Sequence, residues 1–109
     1  MNVRLYIWQR ATAALMVPLV LIHIAVIFYA TRQQMTAVDI LSRTQGSVAW
    51  ATFYVLFVAA ASIHASIGVR NVLAEWAPLT ERRAGRIAIV FGLLLALLGA
   101  QAIFALVAT

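Results

Sequence analysis

Two histidines lie inside long apolar stretches of this chain, where simple packing does not explain an imidazole. His23 falls in the stretch 11–30 and His64 in the stretch 48–69, and both stretches lack Asp, Glu, Lys and Arg. An ionisable side chain inside a bilayer is costly and marks a functional site by default. A neutral imidazole can ligate haem iron, relay protons, or make an interhelical hydrogen bond to a serine or a carbonyl. The chain has no cysteine, so it offers no thiolate ligand and no iron–sulfur site of its own.

The depths of the two histidines constrain how they could serve haem. At about 1.5 Å of rise per residue, His64 lies roughly 9 Å from Arg70 and His23 roughly 20 Å from Arg10. The two imidazoles are therefore poor partners on one haem. Either each serves a separate haem with a ligand from another chain, or only one binds iron. Gly68, one turn after His64, predicts the bare surface that a flat macrocycle needs, and Arg70 and Arg10 are candidates for the haem propionates.

A second group of residues carries chemistry at the ends of the apolar stretches. Arg10 precedes the first stretch, and Glu75 and Trp76 follow the second. A quinone head group needs hydrogen bonds to its carbonyl oxygens and a proton source on reduction. A guanidinium, an indole N–H and a carboxylate can supply these. The alternative is a set of interfacial anchors with no ligand.

Composition indicates which elements must hold these side chains. Of the 109 residues, 65% are hydrophobic and 10% are charged. A soluble domain carries about a quarter charged residues and has too little interior for so much apolar surface. Three uncharged stretches reach the roughly 20 residues that cross a bilayer. The prediction is an all-α membrane protein, a single domain over residues 1–109, with three transmembrane helices at about 11–30, 48–72 and 87–108.

Three further features of the spans are predicted. A cleavable signal peptide is the alternative interpretation of the first stretch. Pro18 and His23 interrupt its apolar core, which favours a retained helix. Between the first two spans, Met35, Val38 and Leu41 have the spacing of a short interfacial helix. The third stretch, 87–109, carries small residues that predict a close packing face: Gly92, Ala96 and Gly99.

Arginine placement predicts the orientation. The formal charge is +5, and six of the eight arginines flank the N-terminal end of the first span or the connection between the second and third. Arginine-rich loops stay in the cytoplasm. The N-terminus is therefore predicted inside and the C-terminus outside, in a multi-pass protein of the bacterial inner membrane. The basic charge indicates topology and not a nucleic-acid partner.

At these residues the chain resembles the cytochrome b membrane-anchor subunits of succinate dehydrogenase and fumarate reductase. The resemblance covers nearly the whole length: RATA at the start of the first span, then IHASIGVRNVLAEW, then a plain third helix. In the small anchor subunit, the matching histidine ligates haem b, which carries over to His64. The usual Asp–Tyr pair at the quinone site matches Glu75 and Trp76, and the helix-one arginine matches Arg10. Trp76 has no phenol hydroxyl, which departs from the family pattern.

The resemblance implies a subunit of a succinate:quinone oxidoreductase in the tricarboxylic acid cycle and respiratory electron transport, with no stand-alone catalysis. Its partners would be a flavoprotein subunit, an iron–sulfur subunit, a second membrane-anchor chain and membrane lipids. Its cofactors would be haem b and either ubiquinone or menaquinone. His23 resembles the helix-one ligand of two-haem members, so one or two haems per complex stay open. The segment GVRNVL also resembles the large anchor subunit, and Tyr6 stands where that subunit has serine.

Two other function classes fit the same spans. One is a structural anchor of another respiratory or transport complex, with no cofactor. The other is a small transport subunit that uses the histidines as proton relays. A transporter needs further polar residues along its pathway, and Gln101 is the only strongly polar residue of the third span.

Overall fold

A computed structural model of the chain describes residues 3–108, and this part of the chain is helical. The four helices are α1 (Val3–Arg32), α2 (Ala37–Thr44), α3 (Val48–Trp76) and α4 (Glu81–Val107). Three of them, α1, α3 and α4, are long and apolar enough to cross a membrane. The predicted all-α class with three candidate spans is confirmed. Thr109, the end of the third predicted stretch, lies outside the described residues.

The long helices extend beyond the predicted spans because charge limits a hydrocarbon segment but does not end a helix. α1 already begins at Val3 and passes through Arg10. α4 begins at Glu81, where the Thr80 hydroxyl accepts the backbone N–H of Arg83 at 3.2 Å. α3 ends at Trp76, shortly before Pro78, which cannot continue a helix.

The short helix predicted between the first two spans is present as α2 and contains Val38 and Leu41, but Met35 lies before its N-cap, Thr36. Its first turn is a capping box, in which Asp39 N–H donates to the Thr36 hydroxyl and Thr36 N–H donates to the Asp39 carboxylate. Gly46 leads into α3 with a φ of 74°, a conformation that glycine adopts at little cost. The Thr44 hydroxyl donates to the Leu106 carbonyl at 2.7 Å, and Gly46 N–H donates to the Val107 carbonyl at 2.8 Å. These two bonds fix α2 to the end of α4.

α3 is the central helix, packed against α1 on one side and against α4 on the other. The close face predicted on the third span is confirmed: a Cβ added at Gly92 would lie 3.0 Å from the Ser66 Cβ, and one added at Gly99 would lie 2.5 Å from Val58. The Ser66 hydroxyl also donates to the Ala88 carbonyl at 2.8 Å. Small residues therefore let the α3 and α4 backbones approach closely, as in many membrane helix pairs.

Candidate functional site

His64 meets α1 through a hydrogen bond to Thr12. Its Nδ1 lies 3.2 Å from the Thr12 hydroxyl oxygen, and Thr12 is only 4% exposed. The same hydroxyl lies 2.8 Å from the Trp8 carbonyl and 3.1 Å from the Gln9 carbonyl. Those carbonyls can only accept. When the hydroxyl hydrogen is donated to one of them, Nδ1 of His64 carries a hydrogen toward Thr12 and Nε2 has a free lone pair.

An apolar cavity of about 360 Å³ opens beside His64. Its other walls come from α1, and they carry no hydrogen-bonding side chain: Ala13, Met16, Val17, Val20 and Leu21. His64 itself is half-buried. The imidazole is therefore the polar side chain on an otherwise apolar wall, which suits one ligand bond to a large flat apolar group.

Gly68 does not line this cavity. A Cβ added there would lie 3.6 Å from the Gln9 amide nitrogen, so Gly68 serves the contact between α3 and α1. The amide oxygen of Gln9 is buried and has no hydrogen-bond partner within residues 3–108. Close to the membrane such an acceptor is costly unless another molecule or subunit donates to it.

His23 lies in an aromatic environment at the other end of the α1–α3 contact. Its Nδ1 is 3.3 Å from the Tyr54 hydroxyl, and its ring meets those of Tyr54 and Phe57 edge-on, at centroid distances of 5.7 and 5.1 Å. A cavity of about 400 Å³ adjoins these rings and reaches α4 at Gly99. His23 therefore makes an interhelical hydrogen bond, as His64 does, although its partner is a tyrosine and not the serine or carbonyl of the sequence-based alternative.

The pairing of α1 with α3 sets the level of each candidate residue. Thr12 pairs with His64, and His23 pairs with Tyr54, so the two helices run antiparallel with a nearly constant register. The ten residues from Tyr54 to His64 correspond to about 15 Å along the helix axis. The two histidines therefore lie at well-separated levels, too far apart to ligate one iron from the same chain.

The same register separates the residues predicted to share a quinone. Arg10 lies two residues from Thr12, close to the level of His64. Trp76 follows His64 by twelve residues, which is about 18 Å of helix rise. Arg10 is exposed with its guanidinium 5.6 Å from the Tyr6 ring centroid, and Trp76 is 84% exposed. Glu75 is exposed beside Trp76. Within residues 3–108, no contact joins Arg10 to this pair.

Arg70 is directed toward α4. Its guanidinium lies 4.0 Å from the Glu81 carboxylate, and its side chain is 20% exposed against 74% for Glu81. Arg70 is six residues after His64, which places it about 120° around α3 from the histidine. Arg70, a candidate partner for a haem propionate, therefore faces α4, whereas His64 faces α1.

Sequence reasoning did not identify Thr12, Gln9 and Tyr54 as site residues. Each is a polar side chain in or near an apolar span, and each lies one helix away from the residue it serves. Thr12 had one visible signal, since it belongs to the RATA segment that carries the resemblance. Its partner could be assigned only once the register between α1 and α3 was known.

The geometry defines a membrane subunit with three candidate spans and two half-buried histidines, each hydrogen-bonded to the neighbouring helix beside a cavity. The family model described as succinate dehydrogenase/fumarate reductase transmembrane subunit matches residues 1–104. The chain therefore belongs to this family. No curated protein and no solved structure matches the chain.

Proposed function

We propose that this chain anchors a succinate:quinone oxidoreductase in the membrane and helps to bind both haem b and quinone. The observation that carries the proposal is the His64–Thr12 pair beside the apolar cavity. A histidine that ligates a metal usually donates its other ring N–H to an oxygen, which fixes the ring and its tautomer. The 3.2 Å contact to Thr12 meets that requirement.

The residues around His64 fit haem b. An axial imidazole bonds through an unprotonated nitrogen, which Nε2 provides when Nδ1 is held by Thr12. The aliphatic α1 wall offers no competing polar contact to the face of a porphyrin. When bound, haem b supplies a one-electron carrier within the membrane. Any further protein ligand to the same haem would come from another chain, because His23 lies at another level.

Arg10 is our first choice for a haem propionate. It is exposed and lies within two residues of Thr12, so its level is close to that of His64. A guanidinium can hold a carboxylate through two parallel hydrogen bonds. Arg70 is the second choice, since it would have to leave Glu81 to reach the His64 side.

Glu75 and Trp76 form the quinone-binding part of the proposal. Both are exposed at the end of α3, where another subunit can complete a pocket. The Trp76 indole N–H would donate to a quinone carbonyl oxygen, and the Glu75 carboxyl would carry a proton toward the reduced head group. Arg10 lies about 13 Å nearer the bilayer centre along the helices, so its contribution to the quinone would be electrostatic.

His23 is the candidate ligand of a second haem, and the ligand atom would again be Nε2, since Nδ1 meets Tyr54.

Succinate oxidation would take place in a flavoprotein subunit, with electrons arriving through an iron–sulfur subunit. This chain would contribute no catalytic group to the oxidation of succinate. The quinone would be ubiquinone or menaquinone, and the complex would reside in the bacterial inner membrane with the quinone site near the cytoplasmic face.

The test is purification of the intact complex through a tag on this chain. We expect the flavoprotein, the iron–sulfur protein and a second anchor chain to copurify, as identified by mass spectrometry. We also expect a b-type α-band in the reduced-minus-oxidised spectrum. If the complex contains those partners but no b-type haem, the cofactor assignment is overturned, and the function that remains for this chain is that of a structural anchor.

A further inference from the structure

A third cavity lies under α2, apart from the one beside His64 and sharing Tyr54 with the one beside His23. It measures about 490 Å³ and is enclosed by α1, α2 and α3. Its interior is almost entirely apolar, with Ala25, Val26 and Ala30 from α1, Ile40 from α2 and Trp50 from α3. This volume falls within the roughly 300–1,000 Å³ that is usual for ligand pockets.

The cover of this cavity is held in place on two sides. Met35 N–H donates to the Ala30 carbonyl of α1 at 3.0 Å just before α2, and the bonds from Thr44 and Gly46 to the last carbonyls of α4 fix its end. Because α2 is tied at both ends, the space beneath it is a lasting feature of the fold and not a gap left by a loose loop.

The rim of the cavity carries a positive charge. Arg43 lines the cavity while its side chain is exposed, and its guanidinium lies 5.8 Å from the centroid of the Tyr29 ring. Asp39, one turn earlier in α2, accepts the backbone N–H of Thr36. The Asp39 carboxylate is close enough for Arg43 to lower its pKa slightly. Within residues 3–108, however, no carboxylate lies within 4.0 Å of the Arg43 guanidinium, which can therefore still meet an anion at the membrane surface.

We propose that this cavity binds an anionic phospholipid, with an acyl chain under α2 and the phosphate against Arg43. An interfacial helix with an apolar pocket beneath it and a cation at its edge matches the two chemical parts of such a lipid. Guanidinium pairs strongly with phosphate oxygens through two parallel hydrogen bonds. The proposal does not involve His64, Glu75 or Trp76, but Tyr54, the hydrogen-bond partner of His23, also lines this cavity.

The chain offers a matched pair of arginines for the test. Arg32 lies at the same end of the bundle and also stacks on an aromatic ring, 5.7 Å from the Phe28 centroid, yet neither residue lines the cavity. The intact complex would be delipidated in detergent and titrated with phosphatidylglycerol or phosphatidylcholine under native mass spectrometry. We expect wild-type complex to prefer phosphatidylglycerol, and Arg43→Gln to lose about fivefold in that affinity. Arg32→Gln is expected to bind like wild type.

A second variant addresses the apolar half of the site. Ala30→Leu would fill the cavity without changing a charge, whereas Ala14→Leu adds the same bulk to an exposed position of α1 outside it. We expect Ala30→Leu to reduce phosphatidylglycerol binding and Ala14→Leu to leave it unchanged. Equal binding of the two lipids by wild type, or unchanged preference in Arg43→Gln, would overturn the proposal. Capture of another polypeptide by a photo-cross-linker at Ile40 would also overturn it, because a protein would then occupy the cavity.

Discussion

Thr12 on α1 holds His64 on α3 through a hydroxyl oxygen 3.2 Å from Nδ1 of the imidazole. The threonine is buried, and its hydroxyl also lies within hydrogen-bond distance of two carbonyls of α1. This arrangement orients a histidine inside a membrane span, and it favours the tautomer with a hydrogen on Nδ1 when the hydroxyl donates to a carbonyl. It ties the predicted ligand function of His64 to the packing of two helices.

Replacing Thr12 tests whether this bond supports haem binding. Thr12→Val keeps the shape of the side chain and removes the hydroxyl, so Nδ1 of His64 loses its acceptor. Loss of such a supporting contact typically weakens metal binding about 10–100-fold, and we expect the haem-to-flavin ratio of the purified complex to fall on dilution. Thr12→Ser should restore it. Thr52→Val, at an exposed position of α3, is the control; equal haem loss in both valine variants would contradict the assignment.

Glycine substitutions test the α3–α4 contact. A Cβ at Gly99 would lie 2.5 Å from Val58, whereas one at Gly85 would lie 4.0 Å from the Arg70 side chain. We expect Gly99→Ala to destabilise the bundle by about 1–3 kcal/mol through overpacking. Gly85→Ala should be neutral or slightly stabilising because alanine favours a helix. Thermal unfolding of the complex in detergent measures both, and a Gly99→Ala complex as stable as the Gly85→Ala complex would contradict this packing.

The capping box of α2 predicts a pH dependence. Hydrogen bonds from the backbone and side chain of Thr36 lower the pKa of Asp39 below its ordinary value, with a smaller effect from Arg43. Since the folded pKa is lowered, the cap stabilises α2 above the unfolded pKa, about 3.9, and this stabilisation is lost as the pH falls through the folded value. Asp39 is the only aspartate of the chain.

Selective ¹³C labelling of aspartate in this chain would therefore give one carboxyl signal to titrate by NMR. We expect its midpoint to lie below the ordinary aspartate value and to rise in Thr36→Ala, which loses the side-chain hydrogen bond but keeps the backbone one. A midpoint at or above the ordinary value in the unmodified chain is incompatible with the capping box.

The sequence predicted the elements well because their causes are local. Apolar runs marked the three spans, and the spacing of Val38 and Leu41 marked α2, although Met35 of the same pattern lies before the helix. Helix ends were less predictable, since α1 and α4 continue through arginines that an apolar criterion excludes. Those extensions are stabilised by caps and backbone bonds that charge does not disrupt at an interface.

The candidate site was predictable only in part, because its geometry depends on long-range register and rotation. His64 and His23 stood out as polar residues in apolar surroundings. Their partners, Thr12 and Tyr54, are 52 and 31 residues away in sequence. The direction of Arg70 toward Glu81 depends likewise on how α3 is rotated between its two neighbours.

The haem-to-flavin ratio of complexes with His64→Ala or His23→Ala tests the central claim most directly. Flavin content reports how much complex has assembled, so the ratio separates haem loss from failure to fold. We predict that His64→Ala abolishes the b-type signal of the haem held by this residue, while a complex with His23→Ala keeps that signal. A His64→Ala complex that retains the full wild-type ratio would contradict the assignment of His64 as the haem ligand.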